Sequence, residues 1–390
     1  MSFTGKVFIL SSATFIIYVG IQIYKYFQPP PLPLYDENEY WGPGNQPSKQ
    51  DTSIKPFMIN VSDEVLNDLK YRLENDRPYT PPLEGIQQQY GFNTNLLKEI
   101  IKFWKNDYNW RERETFLNQF PQFITNIQGL DIHYLHIKPK VSSDTIIFPL
   151  LLLHGWPTSV REFYSIIPLL TKEDNERNFV FEVVVPSLPG FGFSQPPSKR
   201  GLSPSKMAVI FKNLMKRIGH SQFYVQGEDW GGVIATSIAT LFPKSILGLH
   251  SSMCMPSGPK ALIKLFISSL FPSFFVDKRS KHKMFPLLEK FSLLLEEFGY
   301  YLLQATKPDT VGIGLGQSPS GMAAYILEKF STGTNVSFRE REDAGLKETF
   351  SYITLLDNLM IYWISNSLTT SMRIYSEAYS THARSWEVSR

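Results

Sequence analysis

The spacing of apolar residues changes several times along the chain, and each change marks a region. Val7 to Tyr24 is a run of 18 residues without a charge, flanked by Lys6 and Lys25. That is about the shortest run that spans a bilayer. Tyr18, Tyr24 and Tyr26 suit a membrane interface. A cleaved signal peptide is the competing reading. The length of the run and the lack of a small-x-small site favour an uncleaved anchor over residues 1–27. Pro29 to Pro33 then stiffens the chain, and polar residues up to 55 read as a linker covering 28–55. Past Ser62, a cap candidate, Val65, Leu66, Leu69 and Leu73 fall at helical spacing. Asn95 to Asn106 and Trp110 to Phe120 predict two more helices. Residues 56–145 form this helical, aromatic segment and its closing strands.

At Phe123 the period becomes two. Phe123 to Ile127 and Leu130 to Ile137 predict a hairpin around Gln128-Gly129. His133 and His136 lie on opposite faces of its second strand and read as structural or exposed. Four apolar runs follow: Ile146 to Leu153, Val180 to Val185, Phe223 to Gln226 and Ile246 to Ser252. Such runs suit strands covered on both faces. Helical stretches lie between them, at Ser159 to Leu170, Ser203 to Ile218 and Val233 to Phe242. The alternation predicts a parallel α/β core over 146–258. After Pro256 the period turns helical at Ala261 to Phe275, Met284 to Gly299, Gly321 to Phe330 and Phe350 to Ile364. Residues 259–375 therefore read as a helical lid, and 376–390 as a polar, divergent tail.

Candidate chemistry sits where strands end. Gly227-Glu-Asp-Trp-Gly231 places Asp229 at the tip of a strand–turn–helix, where a nucleophile elbow usually carries Ser. Gly227 and Gly231 leave room for crowded backbone. A carboxylate is ionised at pH 7 without a base and can attack an electrophilic carbon to form an ester. The plainer alternative is an Asp that caps the following helix. Two other strand-end loops, His154-Gly155-Trp156-Pro157 and Pro186 to Ser194, converge on the same end of the sheet. The Trp156 and Trp230 backbone N–H groups can then face the oxyanion of a tetrahedral intermediate at Asp229. His154 reads as a hydrogen-bonded support of the turn, with a catalytic base as the alternative.

Composition removes other classes. At 390 residues with 43% hydrophobic and 19% charged, the chain can bury a large core. A formal charge of +3 without a basic tract argues against nucleic acid. Cys254 is the lone cysteine, so an internal disulfide is impossible. The seven histidines show no metal-ligand spacing. No metal and no cofactor are expected.

Four blocks carry a family resemblance: His154 to Pro157, Gly227 to Gly232, Lys307-Pro-Asp-Thr-Val-Gly312 and Ser318 to Phe330. With them the chain resembles the microsomal epoxide hydrolase family, including insect juvenile-hormone epoxide hydrolases. The resemblance implies an α/β-hydrolase fold with a helical lid and an N-terminal wrapping segment. It implies that Asp229 opens a lipophilic epoxide and that Tyr300 and Tyr375 donate a proton to the leaving alkoxide. It also implies an endoplasmic reticulum membrane setting, with the body cytosolic. In the family the water-activating His and its acid partner come from two later strands. The tail after Tyr375 offers neither strand, and His382 lies outside the motif. The expectation is therefore a chain lacking the last sheet strands, impaired in ester hydrolysis, whose exposed sheet edge could pair with another chain. A non-catalytic membrane-anchored binding variant and a haloalkane dehalogenase are the alternatives.

Overall fold

Seven runs rich in β-branched and aromatic residues join into one sheet in the computed structural model. It describes residues 15, 17–25, 28, 31–142, 144–174, 176–253 and 259–379. The strands are β1 (Ile54–Phe57), β2 (Gln122–Ile127), β3 (Leu130–Ile137), β4 (Ile146–Leu153), β5 (Phe179–Pro186), β6 (Phe223–Gly227) and β7 (Ile246–Ser251). Their order in space is β1-β2-β3-β5-β4-β6-β7. β1, β2, β3 and β5 pair antiparallel, and β5, β4, β6 and β7 pair parallel. Leu151, Leu153, Val183, Val184 and Val185 are fully buried, as expected of strands covered on both faces. The β2–β3 hairpin turns through Gln128 and Gly129, both at positive φ, the geometry a two-residue hairpin demands. Among the described strands β7 closes one side of the sheet, with Leu247 and Leu249 exposed.

The order β5-β4-β6-β7 puts the carboxyl ends of four parallel strands side by side. The loops after β4, β5 and β6 therefore meet, and they carry His154, Leu188 and Asp229. This is the α/β-hydrolase fold.

Differences from the sequence expectation have local causes. Residues 35–55 carry few apolar positions and read as a linker, yet Trp41 is buried. Its N–H donates to the Gln128 carbonyl at 2.8 Å, and its carbonyl accepts from Ser198 N–H at 2.9 Å. The Lys206 ammonium lies 4.8 Å from its ring centre. One large aromatic holds a stretch whose average polarity hides it. β1 went unseen because four residues containing Lys55 and Pro56 look like a break; both suit an outer strand. Prolines cut two expected helices. Pro168 divides Ser159 to Leu170 into a 3₁₀ turn (Val160–Ser165) and a short helix (Ile167–Thr171). Pro272 divides Ala261 to Phe275 in the same way.

The described chain forms two compact units. The larger holds residues 35–253 and 297–379, and the smaller holds residues up to 34 and 259–296. The helical segment expected over 259–375 is thus shared between them. In the smaller unit, the helix Pro259–Leu270 and the part of the helix Leu287–Glu297 up to residue 296 expose Leu262, Phe266, Leu288 and Phe291. Residues 17–25 are helical, but most of the expected anchor before them lies outside the described residues. Among the described residues no helix is long and apolar enough to cross a membrane.

One buried carboxylate ties the larger unit together. Asp357, on helix Tyr352–Ile364, is fully buried. Arg113 donates to it twice, at 2.9 and 2.8 Å, and Arg161 donates once at 2.8 Å. The Tyr108 hydroxyl adds a fourth bond at 3.1 Å. Phe116 packs its ring against both guanidinium groups, 4.1 and 4.9 Å from its centre. Tyr108 and Arg113 belong to the N-terminal helical segment, Arg161 to the loop after β4, and Asp357 to a late helix. Asp357→Ala would leave a buried cation, Arg161, and a half-buried one, Arg113, without their counter-ion. We expect it to lower stability by about 3–5 kcal/mol in urea unfolding. A loss below about 1 kcal/mol would show that the three segments do not depend on this carboxylate.

Candidate active site

Asp229 stands at the end of β6 with φ +47°, a left-handed conformation that non-glycine residues rarely take. Strain of this kind costs about 1–3 kcal/mol and persists where packing fixes it. Here the packing is backbone on backbone. A Cβ on Gly227 would lie 2.1 Å from the Gly231 carbonyl oxygen, and one on Gly231 would lie 2.0 Å from that of Leu153. The turn closes only because both positions lack a side chain. Gly155 follows the same rule from the facing loop, where a Cβ would sit 2.4 Å from the Asp229 carboxyl oxygen.

That close approach aims donors at the carboxyl group. The Trp156 N–H donates to Asp229 Oδ1 at 2.8 Å, and the Trp230 N–H is a second backbone donor to the same group. Pro157 follows through a cis peptide bond. The helix Tyr352–Ile364 holds this loop from above. Asn358 donates to the Pro157 carbonyl at 2.7 Å, and Tyr362 donates to the Thr158 carbonyl at 2.8 Å. The Ser159 hydroxyl donates to Asn358 Oδ1 at 2.7 Å.

Burial pushes the Asp229 carboxyl up to about 6. The two N–H donors oppose that rise, and the negative charge of Glu228 adds to it. Glu162 was not foreseen. Burial, then the charge of Glu228, pushes its carboxyl well above the usual range. In sequence Ser159-Val-Arg-Glu162 has the form of a helix capping box, so Glu162 looks purely structural. Glu228 looks like turn filler. Glu228 is beside Asp229 in the chain, but only the fold brings Glu162 to the pair.

His154 is fully committed. Its Nδ1 lies 2.9 Å from the Gly155 carbonyl, which can only accept, so Nδ1 carries the proton. Its Nε2 accepts from the Leu188 N–H at 3.1 Å. Burial pulls the imidazole down to about 4. The ring bridges two strand-end loops and has no lone pair left for a substrate proton.

Aromatic rings cover the carboxylate. Helix Gly299–Thr306 brings Tyr300, and helix Leu368–Tyr379 brings Tyr375. Tyr300 stacks on Trp156 with centroids 5.4 Å apart, and Tyr375 meets Trp230 edge-on at 4.9 Å. The two tyrosine rings are 6.0 Å apart. Burial and then the charge of Asp229 push Tyr300 up to about 12 and Tyr375 well above its usual value. The Tyr375 hydroxyl and the indole N–H groups of Trp156 and Trp230 are buried without a hydrogen bond of ordinary geometry. They can meet an acceptor oxygen at low desolvation cost. Tyr325, also unforeseen, sits edge-on to Trp156 at 5.9 Å and accepts from the Gln304 amide at 3.2 Å. The structure thus brings Asp229, Trp156, Trp230, Tyr300 and Tyr375 into one pocket, with Gly155, Pro157, Gly227, Gly231 and His154 as its frame.

Known proteins share this arrangement of elements. Residues 54–163 match the epoxide hydrolase N terminus, and residues 149–380 match the alpha/beta hydrolase fold. The chain is 53% identical over 365 residues to juvenile hormone epoxide hydrolase 2 of Ctenocephalides felis, covering 94% of this chain and 78% of that protein. It is 45% identical over 344 residues to epoxide hydrolase 1 of Sus scrofa, covering 87% and 76%. The crystal structure of juvenile hormone epoxide hydrolase from the silkworm Bombyx mori superposes with a TM-score of 0.88 at 52% identity, covering 90% of this chain and 83% of that one. The Aspergillus niger epoxide hydrolase superposes at 0.70 with 28% identity, covering 88% and 82%. With more than half of its residues identical to those of an insect relative, and the same fold around the Asp229 turn, the chain belongs to the epoxide hydrolase family and is a hydrolase.

Proposed function

We propose that this hydrolase opens a lipophilic epoxide through an ester on Asp229. One observation carries the reading: a half-buried carboxylate, held by the Trp156 N–H at 2.8 Å, lies beside two tyrosines whose rings are 6.0 Å apart, Tyr375 buried and Tyr300 half-buried. An Asp229 oxygen attacks an epoxide carbon, and the ring C–O bond breaks. The oxygen that leaves as an alkoxide takes a proton from Tyr300 or Tyr375. Both hydroxyls are protonated at neutral pH, as any phenol is, and burial and then the Asp229 charge raise them further. Esterification removes that charge, so the hydroxyls become more acidic as the alkoxide forms. A tyrosine pair suits an oxygen leaving group better than a halide, which disfavours dehalogenation. The aromatic lining favours an apolar substrate. The insect relatives are named for juvenile hormone, and an epoxide of that apolar class fits this lining. Membrane association through residues 7–24 would place the pocket near such substrates.

Hydrolysis of the ester needs an activated water. The groups bearing most on the Asp229 carboxyl are the Trp156 and Trp230 amides and Glu228. Among the described residues no histidine joins them, and His154 is committed elsewhere. We therefore read ester formation as the step these residues are built for, with diol release slower. The described part of the molecule also fits a binder of epoxides that turns over seldom.

Incubation with styrene oxide separates the steps. Intact mass should show one adduct per chain, on the peptide containing Asp229, forming faster than diol appears. Adduct formation should rise about tenfold per pH unit up to pH about 6 and then level off, since only the ionised carboxylate attacks. Tyr300→Phe with Tyr375→Phe should slow it by about 10²–10⁴-fold. An adduct that forms equally well in Asp229→Asn would sink the assignment. Diol released as fast as the adduct forms would remove the slow second step.

The same carboxyl costs stability. Its pKa rises on folding from 3.8 to about 6, so the folded state holds the proton more tightly. That contribution is full below pH 3.8 and is lost as pH rises through about 6. Asp229→Asn cannot ionise and escapes the loss. It should gain on the wild type between pH 4 and pH 8 by on the order of 2 kcal/mol, read as a growing difference in Tm. A difference that does not change with pH would show that the group is not desolvated.

A further inference from the structure

The sequence shows no metal-ligand spacing, but the fold assembles three donors from distant positions. His136 lies on β3 and Glu182 on β5. His220 follows the helix Pro204–Arg217, where Gly219 at φ +104° stops the helix. His136 Nε2 is 2.6 Å from Glu182 Oε1, and His220 Nε2 is 3.3 Å from the same oxygen. All three donor atoms lie within 4.8 Å of one another, the one such group among the described residues. Their side chains keep 9%, 15% and 20% exposure in the order His136, Glu182, His220, so the cluster is sheltered but reachable. His220 Nε2 is buried and makes no hydrogen bond of ordinary geometry. None of the three belongs to the Asp229 pocket.

We propose that His136, Glu182 and His220 form a binding site for a divalent transition metal of the zinc class. Two imidazoles and one carboxylate are a common zinc set, with water as the fourth ligand. Bond lengths of about 2.0–2.2 Å in a tetrahedron place donors about 3.4 Å apart. The His220–Glu182 pair is already at 3.3 Å. The His136–Glu182 pair has to open from 2.6 Å as the imidazole adopts the tautomer with its proton on Nδ1 and turns the Nε2 lone pair to the metal. Small side-chain rotations suffice, because β3 and β5 are held in register by ladder pairs such as His136 with Val184. His220 is fixed by its own N–H, which donates to the Met215 carbonyl at 2.9 Å. With no thiolate in the set, nitrogen and oxygen donors suit zinc and cobalt(II) and exclude a soft-metal site. A bound ion would pin the end of Pro204–Arg217 to the centre of the sheet. Its effect is on stability and does not require a role in catalysis.

The test uses the full chain, stripped of metal with a chelator and free of any affinity tag. Titration with zinc against a chromophoric chelator should show one tight equivalent per chain. Zinc should raise the Tm by several degrees. Cobalt(II) in place of zinc should give visible d–d bands of a four- or five-coordinate ion. His220→Ala and Glu182→Gln should each weaken zinc by about 100-fold and abolish the Tm rise. His250→Ala, at an exposed histidine on β7, should change neither. Zinc binding that survives in both ligand variants overturns the proposal, and so does a cobalt spectrum of a six-coordinate aquo ion. The cobalt spectrum is read on the unaltered chain, so the proposal stands or falls even where a variant does not fold.

Discussion

The approach of the Gly155 backbone to the Asp229 carboxyl is the constraint from which the site follows. It requires Asp229 to hold a left-handed backbone conformation, and that requires β6 to enter its helix with no side chain at Gly227 or Gly231. Once the two loops are that close, the Trp156 amide has no other partner as near as the carboxyl oxygen. The strain in one residue is offset by packing from three strands. A looser turn would relieve the strain and lose the donor geometry with it.

The rest of the larger unit holds this approach in place. Helix Tyr352–Ile364 is bound at its middle to Arg113 and Arg161 through Asp357, and through Asn358 and Tyr362 to the Pro157 and Thr158 carbonyls. One rigid element thus answers both to the N-terminal helical segment and to the loop that carries Trp156. The N-terminal segment has no group in the pocket, yet it sets where the pocket wall stands. Its importance is mechanical, transmitted through a buried ion cluster whose members are worth little apart.

Much of this was legible in the residue order, for physical reasons. Glycines at 227 and 231 around an acid state a steric requirement. Apolar runs such as Ile146 to Leu153 state that both faces of a strand are covered. The meeting of three strand-end loops follows from parallel pairing alone. What stayed hidden depends on contacts between distant positions. Glu162 looks like a capping residue until the fold sets Glu228 beside it. Arg113, Arg161 and Asp357 are separated by up to 244 positions and carry no shared pattern. Tyr300 and Tyr375 stood out only through the family resemblance, since nothing local marks two tyrosines among 19. Trp41 and β1 were lost because averages over polar stretches conceal a single well-packed ring.

His154 and His133 show what a buried neutral ring contributes. Burial holds His133 at about 3 and His154 at about 4, and each ring nitrogen has a fixed neighbour. Across the range in which Asp229 changes charge, these two keep theirs. The loops they join therefore behave as an uncharged hinge pin, indifferent to acidity, while the Asp229 carboxyl near them titrates. A change in behaviour near pH 6 then speaks for the carboxyl group and not for its frame.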